Sequence, residues 1–321
     1  MRSYIIRRLL QIIPVFIGIL VLVFLLIELS PGDPTANFIN PRMSAAQRAD
    51  IIERLGLNDP VITRFFRWAG SAIQGDFGHS FQYRQPVLDV FRDMIGPTMA
   101  LSVFALSIAL LIGIPAGIIS ATKQYSITDN GLTIFSLLGI SMPSFFFALI
   151  LIRVFAVELQ WFPMFGLANH IYQPANAFAW FTHRMWHLTL PAVVVGLGST
   201  ATFMRYTRSS MLEVIKSDYI RTARAKGLKE QVVIYRHAFR NAMIPIITLL
   251  GFWIPSLFSG AVITESIFGL PGIGRVTVDA VGWRDYPIIL ASATIFALLT
   301  LVSTLIADLL YAAADPRIKY D

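Results

Sequence analysis

Six apolar stretches of the chain carry no charged side chain: residues 9–27, 98–122, 131–152, 188–204, 241–264 and 286–307. A helix needs about 20 apolar residues to cross the hydrocarbon core of a bilayer, so each stretch is long enough, or nearly so, to span it. The fourth, at 17 residues, has the least certain bounds. Each run is continuously apolar, whereas a barrel strand alternates over about 10 residues, so helices are the expected solution. With 55% of its 321 residues hydrophobic and 14% charged, the chain departs from the roughly 45–50% apolar and 25% charged balance of soluble domains. These features predict an all-α membrane protein with six transmembrane helices.

The first run follows Arg2, Arg7 and Arg8 in the manner of a signal peptide. It exceeds the usual 7–15 residues of such a segment and has no small-residue cleavage site before Pro31, so it reads as a retained anchor. On a six-helix map, fifteen lysines and arginines fall on the termini and the even loops, among them Lys123, Arg205, Arg208 and Lys216. The short odd loops hold only Arg184, Arg275 and Arg284. The positive-inside rule then predicts that both termini and the loop after the fourth span are cytoplasmic.

The first outer loop, within residues 30–96, is the one sizeable polar region and reads as small surface helices. Ser44 to Gln47 fits a capping box ahead of Ile51, Ile52 and Leu55. Asp59 and Pro60 start a second helix with an apolar stripe of Ile62, Phe65, Phe66, Ala69 and Ile73. The second outer loop, around Trp161, Phe165, Trp180 and Trp186, has the composition of an interfacial aromatic belt. Prolines at positions 14, 115, 143, 191, 245 and 255 are expected to bend the spans that contain them. Glu28, Arg153 and Asp308 lie near span ends and are read as snorkelling to the interface.

The chain has no cysteine, which excludes disulfides, thiolate nucleophiles and Cys-ligated metals. None of its five histidines sits in a metal-ligand pattern. His183 and His187 share a helix face and are read as packing among tryptophans. The glycines of "FGLPGIGR", residues 268–275, lack the phosphate-loop spacing. The sequence therefore predicts no catalytic residue, no bound metal and no directly bound cofactor.

The cytoplasmic stretch "SDYIRTARAKGLKEQVVIYRHAFRNAMIP", residues 217–245, is crowded with cations against only two acids, Asp218 and Glu230. Ile220, Ala223 and Gly227 recur at i, i+3 and i+7, which predicts a short amphipathic helix capped by Ser217 or Asp218. Gly227 suits the left-handed residue that ends a helix. A second helix is expected from about Lys229 through Val232, Val233, Tyr235 and His237 to Asn241, bending at Pro245. The residues leave three readings open: a loop that touches anionic headgroups, a DNA-binding hairpin, disfavoured by its tethering at the bilayer, and a knob docked in a cytoplasmic partner.

This stretch resembles the coupling loop of ABC importer permeases, in the form found in the dipeptide, oligopeptide and nickel permease family. The likeness extends over nearly the whole chain, through "RRLLQIIPVFIG" (7–18), "SPGDP" (30–34), "GDFGHS" (75–80), "TRSSMLEV" (207–214), "TESIFGLPGIGR" (264–275), "RDYP" (284–287) and "DLLYAAADPRIKY" (308–320). Where the wider family has Glu-Ala-Ala, this chain has Arg221, Thr222 and Ala223, as is usual for the peptide subgroup.

The resemblance implies a type I ABC importer permease fold and one transmembrane permease domain over residues 1–321, with the outer loop at 30–96 and a coupling hairpin at 212–241. The implied partners are a second, similar permease, two cytoplasmic ATPases that use ATP, and an outer substrate-binding protein. The implied location is a bacterial or archaeal cytoplasmic membrane. The ATPase-coupling residues are expected to be Asp218, Tyr219, Ile220, Arg221, Thr222, Ala223, Arg224, Ala225, Lys226, Gly227, Leu228 and Lys229, with Ala223 and Gly227 at the buried contact. Gly269, Pro271, Gly272 and Gly274 are the expected outer gate. The expected cargo is an oligopeptide or dipeptide. The alternatives are nickel or another small solute and, in a different class, a membrane enzyme or receptor.

Overall fold

The computed structural model describes residues 2–29, 58–168, 175–259 and 261–314. Among these the regular structure is helical, apart from one isolated bridge between His79 and Pro86. The expected capping box at Ser44, with Ile51, Ile52 and Leu55, lies outside the described residues, as does the side chain of Asp308. In chain order the helices are α1 (Arg2–Glu28), α2 (Val61–Ile73), α3 (Val87–Thr122), α4 (Ile127–Ser141), α5 (Ser144–Leu151), α6 (Ala177–Ile215) and α7 (Asp218–Ala225). They continue as α8 (Glu230–Val232), α9 (Arg240–Ser259), α10 (Val262–Ile267), α11 (Ile273–Trp283) and α12 (Tyr286–Ala314). Wide π turns extend α5 over Ile152–Glu158 and join α8 to α9 over Val233–Phe239.

Four of the described helices, α1, α3, α6 and α12, are long and apolar enough to cross a bilayer, and a bent pair makes a fifth candidate. That pair corrects the third window. Instead of one straight span, α4 and α5 meet at 107°. The break has a local cause: Met142, held extended at φ −78° and ψ 123°, adopts the conformation that a following proline imposes on its predecessor. The other prolines expected to bend helices, at 14, 115, 191, 245 and 255, lie inside continuous helices. A membrane helix tolerates this because neighbouring groups take up the freed carbonyl.

The fourth window, the shortest in sequence, becomes the 39-residue α6. Charge ended the apolar window but not the helix, and two of the charges within the helix are partnered. The Arg184 guanidinium lies 4.0 Å over the Trp180 ring, and Arg208 pairs with Asp129.

The chain groups into two compact units, one of residues 1–96 and 273–302, the other of 97–272 and 303–321. In the first, α2 begins after Pro60 and runs along the expected stripe. Phe65 and Trp68 pack edge-on and tilted against Phe24 of α1. Arg64 pairs with Glu28 at 2.8 Å, so Glu28 is held by protein rather than snorkelling to water. A core of Val87, Val90, Phe91, Ile273, Val276, Ala280, Ile288 and Ala291 joins the start of α3 to α11 and α12.

In the second unit Leu101, Ala105, Ala148, Leu188, Ala192, Phe268 and Leu270 form the largest core. Here α3 crosses α6 through Gly113 and Gly117. A Cβ would lie 2.7 Å from the Thr200 carbonyl oxygen at Gly113 and 2.6 Å from the Thr207 Cβ at Gly117. Two glycines four apart let helix backbones approach this closely, and dispersion then drives association that the hydrophobic effect does not supply in lipid. Arg153, read as snorkelling, pairs with Glu158 at 3.0 Å.

Candidate coupling helix and outer turn

The cationic stretch folds as the expected hairpin. Ser217 precedes α7, but its hydroxyl donates back to the Val214 carbonyl at 2.6 Å rather than capping the new helix. Asp218 supplies the acid in the first turn and Arg224 the base in the last, both favoured by the helix dipole. The helix stops in a Schellman turn: the Leu228 amide donates to the Ala223 carbonyl at 3.4 Å and the Gly227 amide to the Arg224 carbonyl at 2.9 Å. Such a turn places its glycine in the left-handed region, and Gly227 has φ +74°. Arg224 then grips Glu230 at 2.6 Å and closes the hairpin across the turn. The pair holds the Glu230 carboxyl below the ordinary carboxylate range and raises Arg224.

Of the expected coupling residues only Ile220 and Ala223 are buried. They pack into a core with Ile118 and Ala121 of α3, Met211 of α6, and Val233, Ala238 and Ala242 of the returning helical arm of the hairpin. Ala223, expected at a contact with a partner, is therefore turned into the chain's own interior. The exposed face carries Tyr219, Arg221, Thr222, Arg224, Ala225, Lys226, Gly227, Leu228 and Lys229, along with Asp218. A Cβ at Gly227 would meet nothing within 4 Å.

The mount beneath this helix contains an ion pair. Asp129, 2% exposed, accepts from Arg208 Nε at 2.9 Å and Nη2 at 3.0 Å. It also accepts from the Ser120 hydroxyl and, at 2.9 Å, from the Tyr125 amide. Every strong acceptor direction of the carboxylate is used, the condition under which a buried charge is tolerated. The pair ties the start of α4 to α6 ten residues before α7 begins. The sequence reading placed Arg208 only as a positive-inside charge and missed Asp129. The available signal was Ser126-x-x-Asp129, a helix start in which the Ser126 hydroxyl accepts from the Asp129 amide at 3.1 Å.

The expected gate residues fall on two features. After α10 the chain makes a second Schellman turn, with the Leu270 amide on the Glu265 carbonyl at 2.8 Å and Gly269 at φ +61°. Glu265 is 1% exposed, and the Thr98 hydroxyl donates to its Oε1 at 2.9 Å. A Cβ at Gly272 would sit 2.3 Å from the Glu265 carboxyl carbon, so the glycine leaves room for a buried carboxylate. Pro271 lies between these glycines, and Gly274 lies buried in the first turn of α11. The Gly166 amide donates to the Phe268 carbonyl at 2.8 Å, and the Gly166 carbonyl lies 3.0 Å from His187 Nδ1. The His183 and His187 rings stand 4.7 Å apart, with Trp186 against both.

Two motifs far apart in sequence also meet. Ser80, ending "GDFGHS", donates to Asp285 of "RDYP" at 2.5 Å, and the Gln82 amide donates to the same oxygen at 3.0 Å. Asp285 is fully buried at the start of α12, where its carbonyl accepts from the Ile289 amide at 3.1 Å.

Residues 113–320 match the profile of the binding-protein-dependent transport system inner membrane component, and residues 1–102 match that of its N-terminal region. Full-length relatives include the oligopeptide transport system permease protein AppB of Bacillus subtilis, 44% identical over 100% of both chains. The dipeptide transport system permease protein DppB of Alkalihalophilus pseudofirmus is 40% identical, also over 100% of both. The glutathione transport system permease protein GsiC of Escherichia coli K12 is 38% identical over 100% of both. Among solved structures, the MetNI methionine ABC transporter in an inward-facing conformation superposes with a TM-score of 0.55 at 13% identity, covering 71% of this chain and 97% of that one. At that identity the likeness is one of fold.

Proposed function

From the premise that the chain belongs to the family of binding-protein-dependent transport system inner membrane components, and so is a permease subunit of an ABC importer and not an enzyme, we propose that its cargo is peptide. The names of relatives that align end to end support this reading. In this proposal the chain is one permease domain that pairs with a second, similar permease. Two ATPases on the cytoplasmic side use the ATP, and a binding protein delivers peptide on the outer side. Both termini are cytoplasmic, in keeping with the excess of lysine and arginine on that side of the sequence map.

The observation that carries the mechanism is the two-faced α7. Ile220 and Ala223 fasten it to α3, α6 and the returning segment, and its polar face remains exposed. A helix so mounted passes a push from an ATPase into the bundle as a rigid displacement, because a packed core does not deform continuously. The contact surface is then Arg221, Thr222, Ala225 and Gly227, while Ala223 is the anchor. The turn at Gly269, Pro271 and Gly272, followed by Gly274, serves in this proposal as the outer gate, stiffened by Glu265.

The test is uptake of labelled peptide by vesicles holding the full assembly, with binding protein outside and ATP inside. Uptake that needs both is expected. Equal uptake without ATP, or import of small solutes but no peptide, would overturn the reading.

A further inference from the structure

We infer that the cavity at the break between α4 and α5 is a cargo-contact site that holds an extended peptide by its main chain. The inference rests on the peptide-permease reading above. The cavity, of about 600 Å³, lies between the broken span, α6 and the start of α10. Its size falls within the roughly 300–1,000 Å³ of small-ligand sites.

The break sets its chemistry. The Met142 amide bonds back to Leu138 and the Phe147 amide to Pro143. Pro143 has no N–H to offer the Gly139 carbonyl. The carbonyls of Gly139, Ile140 and Ser141 and the amides of Ser144, Phe145 and Phe146 have no main-chain partner among the described residues. Pro143, at the cap position, gives α5 no side-chain capping bond.

Unpaired main-chain groups at membrane depth are tolerated where they line a water-filled cavity, not where they face lipid. Gly139, Ile140 and Ser144 are on the cavity wall. Broken transmembrane helices form substrate sites in other transporters by this logic.

An extended peptide matches such a wall, since it offers an N–H and a C=O at each residue to the Gly139 and Ile140 carbonyls and the Ser144 amide. Ser144 and Thr202 add hydroxyls, the latter bonded to the Gly198 carbonyl at 2.9 Å with its oxygen still able to accept. Met142, Phe147 and Val194 supply an apolar remainder that takes side chains without selecting them. The lining holds no imidazole and no carboxylate, and its one thioether, Met142, is a single soft ligand, too few to hold a transition-metal ion. Recognition through the main chain suits a path whose sequence selection is made elsewhere.

The chain has no native cysteine, so Ser144→Cys and Thr202→Cys each give it a single thiol. The complete assembly, in lipid vesicles, is treated with a charged, membrane-impermeant methanethiosulfonate with and without tri-alanine, and labelling of this chain is followed. Both thiols are expected to react, about tenfold more slowly when peptide is present at ten times its half-saturating concentration. Thiols that do not react, as when a lipid chain or a helix of the second permease fills the cavity, would overturn the inference. So would labelling indifferent to tri-alanine in an assembly that imports it. Uptake by the unsubstituted assembly, measured beside it, separates the two failures. An assembly that imports no peptide overturns the cargo reading and this inference with it, whereas unreactive cysteines in a peptide-importing assembly overturn only the cavity's role.

Discussion

Arg208 meets Asp129 through two hydrogen bonds of 2.9 and 3.0 Å, joining α6 to the start of α4. The same carboxylate takes the Ser120 hydroxyl and the Tyr125 amide, so one side chain binds α3, its following turn and α6 into a single mount. Removing one member of a buried pair strands the other and costs on the order of 3–5 kcal/mol. Asp129→Ala is therefore expected to lower the thermal midpoint of the purified assembly by several degrees, and Asp129→Ala with Arg208→Met to recover part of the loss. Additive losses in the double variant would mean that the pair is not a coupled unit.

Gly227 sits at φ +74° with open space around its Cβ position, so substitution there tests conformation rather than crowding. A left-handed residue with a side chain costs about 1–2 kcal/mol, and asparagine tolerates the region best. Gly227→Val is expected to reduce stimulation of ATP hydrolysis by cargo-loaded binding protein, with Gly227→Asn intermediate. Wild-type stimulation in the valine variant would show that the turn does not set the docking surface.

Gly272→Ala brings a methyl group to 2.3 Å from the Glu265 carboxyl carbon. Overpacking of this kind costs roughly 1–3 kcal/mol. Combining it with Glu265→Ala removes the clash, so the second substitution is expected to cost less in the first background than alone. Unfolding of all three variants checks this non-additivity, and strict additivity would refute the contact.

Ser80→Ala leaves the buried Asp285 oxygen with one donor, the Gln82 amide, instead of two. Loss of a buried donor to a carboxylate costs about 1–3 kcal/mol. The variant is expected to be cut faster by protease within residues 76–86, with uptake impaired less than stability. Unchanged cleavage would show that the hydrogen bond does not hold this segment.

Glu230 has its carboxyl held below its ordinary value of 4.5 by Arg224. A depressed folded-state value means that the pair's contribution is fully present above the ordinary value and is lost as pH falls through the lower one. Amide exchange of residues 217–230 is expected to change little between neutral pH and 5 once corrected for intrinsic rates, and to accelerate below 4.5. Glu230→Gln is expected to show the faster exchange throughout. Both side chains are about half exposed, so salt should weaken the effect.

The apolar runs were legible because lipid tolerates few solutions: uncharged stretches of this length must become helices to pair their own main chain. The cationic hairpin was legible too, because Asp218, Arg224 and Gly227 are local signals whose partners lie within a turn or two. Even its buried face, Ile220 and Ala223, followed from helical spacing. The direction of that face did not, since spacing says which residues share a side but not whether a partner or the chain's own core covers it. Ala223 was assigned outward, and Ile118, Met211 and Val233 claim it instead.

Sequence by itself determined the membrane class, the helical solution, the hairpin and the family. Tertiary structure alone decided where charges find partners: Asp129 with Arg208, Ser80 with Asp285 across 205 positions, Arg64 with Glu28, and Glu265 against Gly272. It also decided that five other prolines stay within continuous helices, whereas the break at Met142–Pro143 has a local cause. The reason is the range of the forces involved. Hydropathy and turn preference act through neighbours in sequence, whereas the cost of burying a charge or an unpaired carbonyl is offset only by groups that the whole fold brings within 3 Å or so.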